Sequence, residues 1–277
     1  KTNIFSASQT ICNATAGKNH SFITSRANFV LGKYTGHSSW MKEEYDMLRS
    51  FYEGVPIVVN NEIRIGFTEE MRSIHNQYSV FIVGGGPSTD FVDFIKYKDI
   101  RKWTMNSCFK NEKISKLDNI QLVTFLDNVN LEHPLLWSFL EKHQPIVAHE
   151  ISGKGYKKIN RINQVYPKTS FYHTRYRSRL GCGPRMIVLA IMLGIKDIYI
   201  SGFDGYDLRS SITHSFEKGK SIPQWLQEYG PWLQDQQFVI FWDYILNTLK
   251  KSYDFTIHDL SKGQKTVKYD FIQEYIS

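Results

Sequence analysis

Residues 79–90 read Ser-Val-Phe-Ile-Val-Gly-Gly-Gly-Pro-Ser-Thr-Asp, an apolar run that leads directly into a glycine turn. The run Val80–Val83 predicts a buried strand. The glycines Gly84–Gly86 allow a sharp turn and a close approach of the backbone to a ligand. Pro87 suits the first turn of a helix that follows, and Ser88 is a good N-cap residue. A strand, a glycine turn and a helix N-terminus together favour binding of an anion such as a phosphate, although a tight turn without a ligand is the alternative.

Short apolar runs and helical stretches alternate after this turn. Strands are predicted at Trp103–Asn106, Ile120–Leu126, Pro145–Ala148, Thr169–Tyr172, Asp197–Ser201 and Phe255–Asp259, and helices at Asp90–Tyr97, His133–His143, Gly183–Leu193 and Gln236–Lys250. The alternation predicts an α/β domain over residues 79–277, with a Rossmann-like, mostly parallel sheet and helices on both faces. Ligands of such sheets bind beyond the carboxyl ends of the strands.

Residues 1–78 are predicted to form an N-terminal extension of this domain. Residues 1–38 are rich in polar residues and glycine and indicate an irregular arm. A helix is expected at Trp40–Tyr52 and a hairpin at Val55–Phe67.

The composition restricts the kind of partner. Hydrophobic residues make up 42% of the 277 residues and charged residues 22%, which is typical of a globular protein. No apolar run approaches the length of about 18 residues that a transmembrane helix needs. The net charge of +7 indicates an anionic partner, but the basic residues are dispersed and no nucleic-acid-binding motif occurs, so nucleic acid is not expected. Three scattered cysteines favour a reducing compartment and argue against structural zinc.

A second glycine cluster, Arg179–Met186 (RLGCGPRM), precedes the apolar helix. Gly181 and Gly183 would open that helix, and Arg179 matches phosphate or carboxylate geometry. This pattern predicts a second anion site, with an exposed basic loop as the alternative. Asp204 follows the strand Asp197–Ser201 and is either a functional carboxylate or a turn-forming residue.

The order of these motifs, from the GGGPS turn through Met105-Asn106-Ser107 and RLGCGPRM to IKDIYISGFDGYDLRSS, resembles the bacterial sialyltransferases of the Campylobacter lipooligosaccharide type. It also resembles the wider group of flagellin glycosyltransferases and pterin pyrophosphokinase-like domains. The resemblance covers about residues 79–211 and is most specific over residues 179–211.

The resemblance implies a set of residues that hold the cytidine monophosphate (CMP) part of a sugar donor. They are Gly84, Gly85, Gly86, Pro87, Ser88, Asn106, Asp127, Asn128, Arg179, Gly181, Cys182 and Gly183. Gly85 stands where the family has Asn, and Gly181 with Cys182 stands where the family has a hydroxyl pair. Because Gly181 and Cys182 replace that hydroxyl pair, backbone N–H groups would do more of the binding at the second glycine cluster.

The resemblance also implies a catalytic group. Tyr206 matches the family's Tyr that contacts the departing phosphate, and Asp204 belongs to the same motif. The family's catalytic His precedes the C-terminal helix, but residues 229–235 contain none. His214 is predicted to be the base instead, because imidazole titrates near neutral pH. Asp235 is the second candidate.

The resemblance implies a metal-independent glycosyltransferase that moves a sialic-acid-like (nonulosonic) sugar from a CMP-linked donor to a glycan or glycoprotein acceptor. No cofactor is expected, since the D-x-D motif of metal-dependent glycosyltransferases is absent. The alternatives are a pyrophosphokinase-like enzyme, with Mg²⁺ on Asp127, Asp204 and Asp207, and a non-catalytic nucleotide-binding domain. The expected location is the cytoplasm, and the dispersed lysines fit either solubility or peripheral contact with the inner membrane.

Overall fold

The computed structural model describes residues 58–59, 63–64, 73–74, 77–125, 129–150, 162, 165–166, 168–172, 182–204, 214–217, 219, 241–242, 245, 247 and 249–261.

In the described part of the chain, seven parallel strands form one sheet. They are β3 (Ser79–Val83), β4 (Lys102–Met105), β5 (Ile120–Thr124), β6 (Ile146–Glu150), β7 (Thr169–Tyr172), β8 (Asp197–Ser201) and β9 (Thr256–Asp259). Their spatial order is β7-β6-β5-β4-β3-β8-β9. The predicted strands and the α/β, Rossmann-like class are thereby confirmed. The sheet is entirely parallel in the described part of the chain.

The strands form where the sequence has short apolar runs because both faces of the sheet are covered. Every residue of β4 is buried, and so is every residue of β3 after Ser79. A strand buried on both faces shows no alternation of polar and apolar residues.

The strand order places a switch point between β3 and β8. The chain moves outward from β3 through β4 to β7 and then crosses over to β8, which pairs with the other side of β3. Ligands of open α/β sheets bind outside the carboxyl ends of the strands at such a reversal. Residues 84–88, which follow β3, and residues 202–204, which follow β8, lie at this point.

Three α-helices have bounds in the described part: α1 (Glu112–Ser115), α2 (Pro134–His143) and α3 (Cys182–Met192). The predictions for α2 and α3 are confirmed to within a residue. His133 caps α2 by accepting a hydrogen bond from the Leu135 N–H, 3.3 Å away. Almost all of α3 is buried, which fits its nearly uniform apolar sequence.

The prediction of one helix over Asp90–Tyr97 was wrong. Two 3₁₀ helices, Pro87–Phe91 and Phe94–Tyr97, occupy this stretch. The chain is extended at Val92, and Asp93 caps the second helix by accepting a hydrogen bond from the Ile95 N–H. An Asp side chain that bonds its own local backbone competes with a continuous helix. Two further 3₁₀ helices are Asn106–Lys110 and Leu249–Lys251.

Upstream of β3, β1 (Val58–Val59) pairs antiparallel with β2 (Ile63–Arg64), and both strands lie within the range of the predicted hairpin. Ile74, which the sequence assigned to the extension, is fully buried in the core. The predicted arm and the helix Trp40–Tyr52 lie outside the described residues, as does most of Gln236–Lys250. Within the described part, no helix is both long and apolar enough to cross a membrane.

Candidate active site

The turns that follow β3 and β8 are hydrogen-bonded to each other. The Gly84 N–H donates to the Ser201 carbonyl at 2.7 Å, and the Gly86 N–H donates to the Gly202 carbonyl at 3.0 Å. In the opposite direction, the Gly202 N–H donates to Ser88 Oγ at 2.8 Å. The two turns therefore form one rigid unit at the switch point.

This contact accounts for two of the three glycines. A Cβ on Gly84 would lie 2.6 Å from the Gly202 carbonyl oxygen and 2.7 Å from that of Ser201. A Cβ on Gly86 would collide with the Asp204 carboxylate. Because real Cβ atoms do not approach other atoms so closely, both positions need glycine for the packing of the turns alone.

Asp204 is the side chain that fastens the second turn to the first. It is 3% exposed, and its Oδ2 accepts a hydrogen bond from the Ser88 N–H at 2.9 Å. Ser88 is the second residue of the 3₁₀ helix Pro87–Phe91, so Asp204 supplies an anion from within the chain to the predicted phosphate cradle. A ligand at this turn would therefore meet a carboxylate that is already in place.

The second glycine cluster reaches the same edge of the sheet. Cys182 Sγ lies 3.4 Å from the Oδ1 of Asn106, the residue that follows β4. A Cβ on Gly183 would lie 2.6 Å from the Phe203 ring, which follows β8. The N-terminus of α3 is thus held against the ends of β4 and β8, close to the interlocked turns.

His214 lies beside the glycine turn. The next residue, Ser215, donates its N–H to the Gly85 carbonyl at 2.8 Å. The buried ring of Phe216 covers Gly85, where an added Cβ would come within 3.3 Å of it. The structure therefore brings the predicted base to the turn that was predicted to bind the donor.

Several predicted site residues lie outside the described residues: Asp127, Asn128, Arg179, Gly181 and Tyr206. Asp207, a metal ligand in the pyrophosphokinase alternative, and Asp235, the second candidate base, lie outside them too. Cys108 and Cys182 are both buried, and burial raises the pKa of the Cys108 thiol to about 12.

His149 is a residue at this edge that the sequence predictions missed. It lies near the end of β6 and is 3% exposed, and its Nδ1 is 2.6 Å from the Phe125 carbonyl. An N–H must therefore sit on Nδ1 and donate to that carbonyl. Burial and the nearby Arg185 charge lower its pKa to about 4, although the hydrogen bond to Phe125 opposes this shift. A His at the end of an apolar strand, one residue past the predicted Pro145–Ala148, was the available signal.

We expect His149 to make the protein sensitive to acid. Its pKa is about 4 in the folded chain and about 6.5 when unfolded. The unfolded chain binds more protons between these values, so the stability is present above pH 6.5 and is lost as the pH falls toward 4. Between pH 7.5 and pH 5 the loss should be about 2 kcal/mol. Urea unfolding of the wild type and of His149→Asn measures this loss of stability. The Asn side chain keeps an N–H donor for the Phe125 carbonyl but does not titrate. Equal pH dependence in both proteins would contradict the prediction.

Among the solved structures that the chain resembles are several sialyltransferases. One is the sialyltransferase CST-II in complex with a trisaccharide acceptor and CMP, with 18% identity, a TM-score of 0.46 and coverage of 72% of this chain and 85% of that chain. Another is CstII from Campylobacter jejuni in complex with cytidine-5'-monophosphate, with 14% identity, a TM-score of 0.48 and coverage of 73% and 85%. A third is the monofunctional alpha-2,3-sialyltransferase Cst-I from Campylobacter jejuni, with 18% identity, a TM-score of 0.45 and coverage of 73% and 80%.

These proteins are of the type that the sequence motifs resemble. No protein-family model matches the chain, and no curated protein matches it.

Proposed function

We propose that this protein is a glycosyltransferase that moves a sialic-acid-like sugar from a CMP-linked donor to a glycan or glycoprotein acceptor, without a metal ion. The observation that carries the proposal is the meeting of three separate segments at the switch point. These are the glycine turn after β3, the N-terminus of α3 with Asn106, and the segment that holds His214. The choice of CMP as the nucleotide rests on the resemblance of the sequence motifs to the Campylobacter-type sialyltransferases.

The donor is proposed to lie across the ends of β3 and β4. Asn106 would contact the nucleotide, while α3 would direct its first N–H groups toward the phosphate. The first N–H groups of a helix have no partner within the helix and carry a partial positive charge. Because Asp204 already occupies the Ser88 N–H, α3 is the better place for the phosphate of the two predicted cradles.

Transfer requires that the bond between the anomeric carbon and the phosphate oxygen breaks while a bond to the acceptor oxygen forms. The CMP phosphate gains a negative charge as it leaves, and Arg179, Tyr206 and the α3 N–H groups would stabilise that charge. The acceptor hydroxyl loses its proton, and His214 would take it. This division of roles needs no Lewis acid.

We predict that CMP stabilises the protein against heat. A ligand that binds only the folded state raises the free energy of unfolding, by about 2.7 kcal/mol at a ligand concentration of 100 times its Kd. The melting temperature rises with it. A thermal-shift series with CMP, UMP, AMP and ATP plus Mg²⁺ is the measurement, and CMP should give the largest rise.

Stabilisation by ATP with Mg²⁺ but not by CMP would replace the proposal with the pyrophosphokinase alternative. Stabilisation by CMP without turnover of any CMP-linked sugar would indicate a non-catalytic nucleotide-binding domain. Turnover with release of CMP, undiminished by a chelator, would support the transferase and its independence of metal.

A further inference from the structure

We propose that Asn111, acting through Ser215, is a positioning residue that holds His214 in place for proton transfer. The inference rests on the proposed function, in which His214 is the base. Asn111 and Ser215 lie 104 positions apart in the sequence and are hydrogen-bonded in the structure. We call Asp90, Asn111 and Ser215 the clasp.

The hydrogen bonds of the clasp converge on Ser215. The Asn111 amide donates to the Ser215 carbonyl at 2.9 Å and lies 3.0 Å from Ser215 Oγ. The Ser215 hydroxyl donates to Asp90 Oδ1 at 2.6 Å, a short bond to a carboxylate. Ser215 and Asn111 are both buried, so these bonds have little competition from water.

The clasp fixes His214 through the peptide bond. The Ser215 N–H, which donates to the Gly85 carbonyl, belongs to the planar peptide unit that also contains the His214 carbonyl. With the N–H, hydroxyl and carbonyl of Ser215 all bonded, that plane and the Cα of His214 have a defined position against the glycine turn. Displacement of a catalytic group by about 1 Å can cost about 100-fold in rate.

The two residues that follow Ser215 also hold this segment in place. Phe216 packs over Gly85, and Glu217 forms an ion pair with Lys110 at 2.6 Å. That ion pair is partly exposed, so it contributes less than the buried clasp. The Asp90 carbonyl accepts a hydrogen bond from Lys113 Nζ at 2.9 Å, which connects the Asp90 backbone to α1.

Asn111 has a second role that a test must keep apart from the clasp. Its Oδ1 accepts a hydrogen bond from the Ile114 N–H at 3.1 Å and caps α1. Serine caps helices about as well as Asn but has no amide donor that reaches Ser215. Asn111→Ser therefore keeps the cap and removes the two bonds that the Asn111 amide contributes to the clasp. Asp93→Ser is the matched control, because Asp93 caps the helix Phe94–Tyr97 in the same way.

The test combines steady-state kinetics with a CMP-linked sialic acid donor and hydrogen exchange of the intact chain. Asn111→Ser should lower kcat by about 10- to 100-fold, leave the donor KM within about twofold and speed amide exchange at residues 214–217 only. Asp93→Ser should change none of these quantities. Ser215→Ala, which loses the hydroxyl bonds but keeps the carbonyl bond, should give a smaller decrease in kcat and replaces Asn111→Ser if that variant does not fold.

An unchanged kcat in Asn111→Ser, despite faster exchange at residues 214–217, would overturn the inference. So would faster exchange throughout the chain with a parallel rise in KM, because that pattern is general destabilisation. Full turnover in Asn111→Ser with none in His214→Ala would remove this inference alone. A wild-type protein without turnover of any CMP-linked sugar would remove the proposed function as well.

Discussion

Replacement of His214 by alanine is expected to lower turnover of a CMP-linked donor by about 100- to 10,000-fold, the usual contribution of a general base. The affinity for CMP should remain within about twofold, because the proposed nucleotide contacts come from the glycine turn, Asn106 and α3. His214 is anchored beside the turn through Ser215, so its loss removes the base without dismantling the site. Release of CMP measures turnover, and calorimetric titration measures affinity.

His133→Ser is the control for the loss of an imidazole. His133 caps α2 and packs against Phe109, and serine retains the cap. Its turnover should equal that of the wild type. Full turnover in His214→Ala would exclude His214 as the base and leave Asp235 as the next candidate.

The strands were predictable from local sequence because of where they lie in the sheet. Buried parallel strands need apolar residues on both faces, so runs such as Val80–Val83 and Asp197–Ser201 stand out from their surroundings. The break at Val92 was not predictable in this way. The break depends on the Asp93 side chain, which caps the second helix by accepting a hydrogen bond from the Ile95 N–H. The sequence of residues 90–97 is equally compatible with one continuous helix.

The candidate site was predictable only as a set of motifs. A sequence places Gly84 and Asp204 after strands, but not the pairing of β3 with β8 that brings their turns together. The Asp204–Ser88 hydrogen bond spans 116 positions, and neither residue carries a signal of the other. The glycine turn has the sequence of a phosphate-binding motif. Because the sequence does not show which turns meet, it did not reveal that the Asp204 carboxylate accepts the hydrogen bond of the Ser88 N–H.

The glycine turn can be tested separately for packing and for ligand binding. Gly84→Ala should lower the free energy of unfolding by about 3 kcal/mol, the upper part of the usual range for overpacking. Its Cβ would lie between the backbone carbonyls of Ser201 and Gly202, which cannot rotate away as a side chain can. Relief would require the turns to separate, at the expense of the bond from the Gly84 N–H to Ser201. Urea unfolding at neutral pH gives the difference.

Gly85→Ala is the matched control in the same triplet. The three atoms nearest to its Cβ would all belong to the Phe216 ring, the closest at 3.3 Å. A small shift of that ring accommodates the Cβ, and the loss of unfolding free energy should stay below about 1 kcal/mol. Equal losses at positions 84 and 85 would contradict the packing explanation for Gly84. A stable Gly85→Ala variant that no longer binds CMP would show that the two glycines have different roles. Gly84 lets the turns of β3 and β8 meet, whereas Gly85, with the Phe216 ring packed over it, is required for binding of the nucleotide.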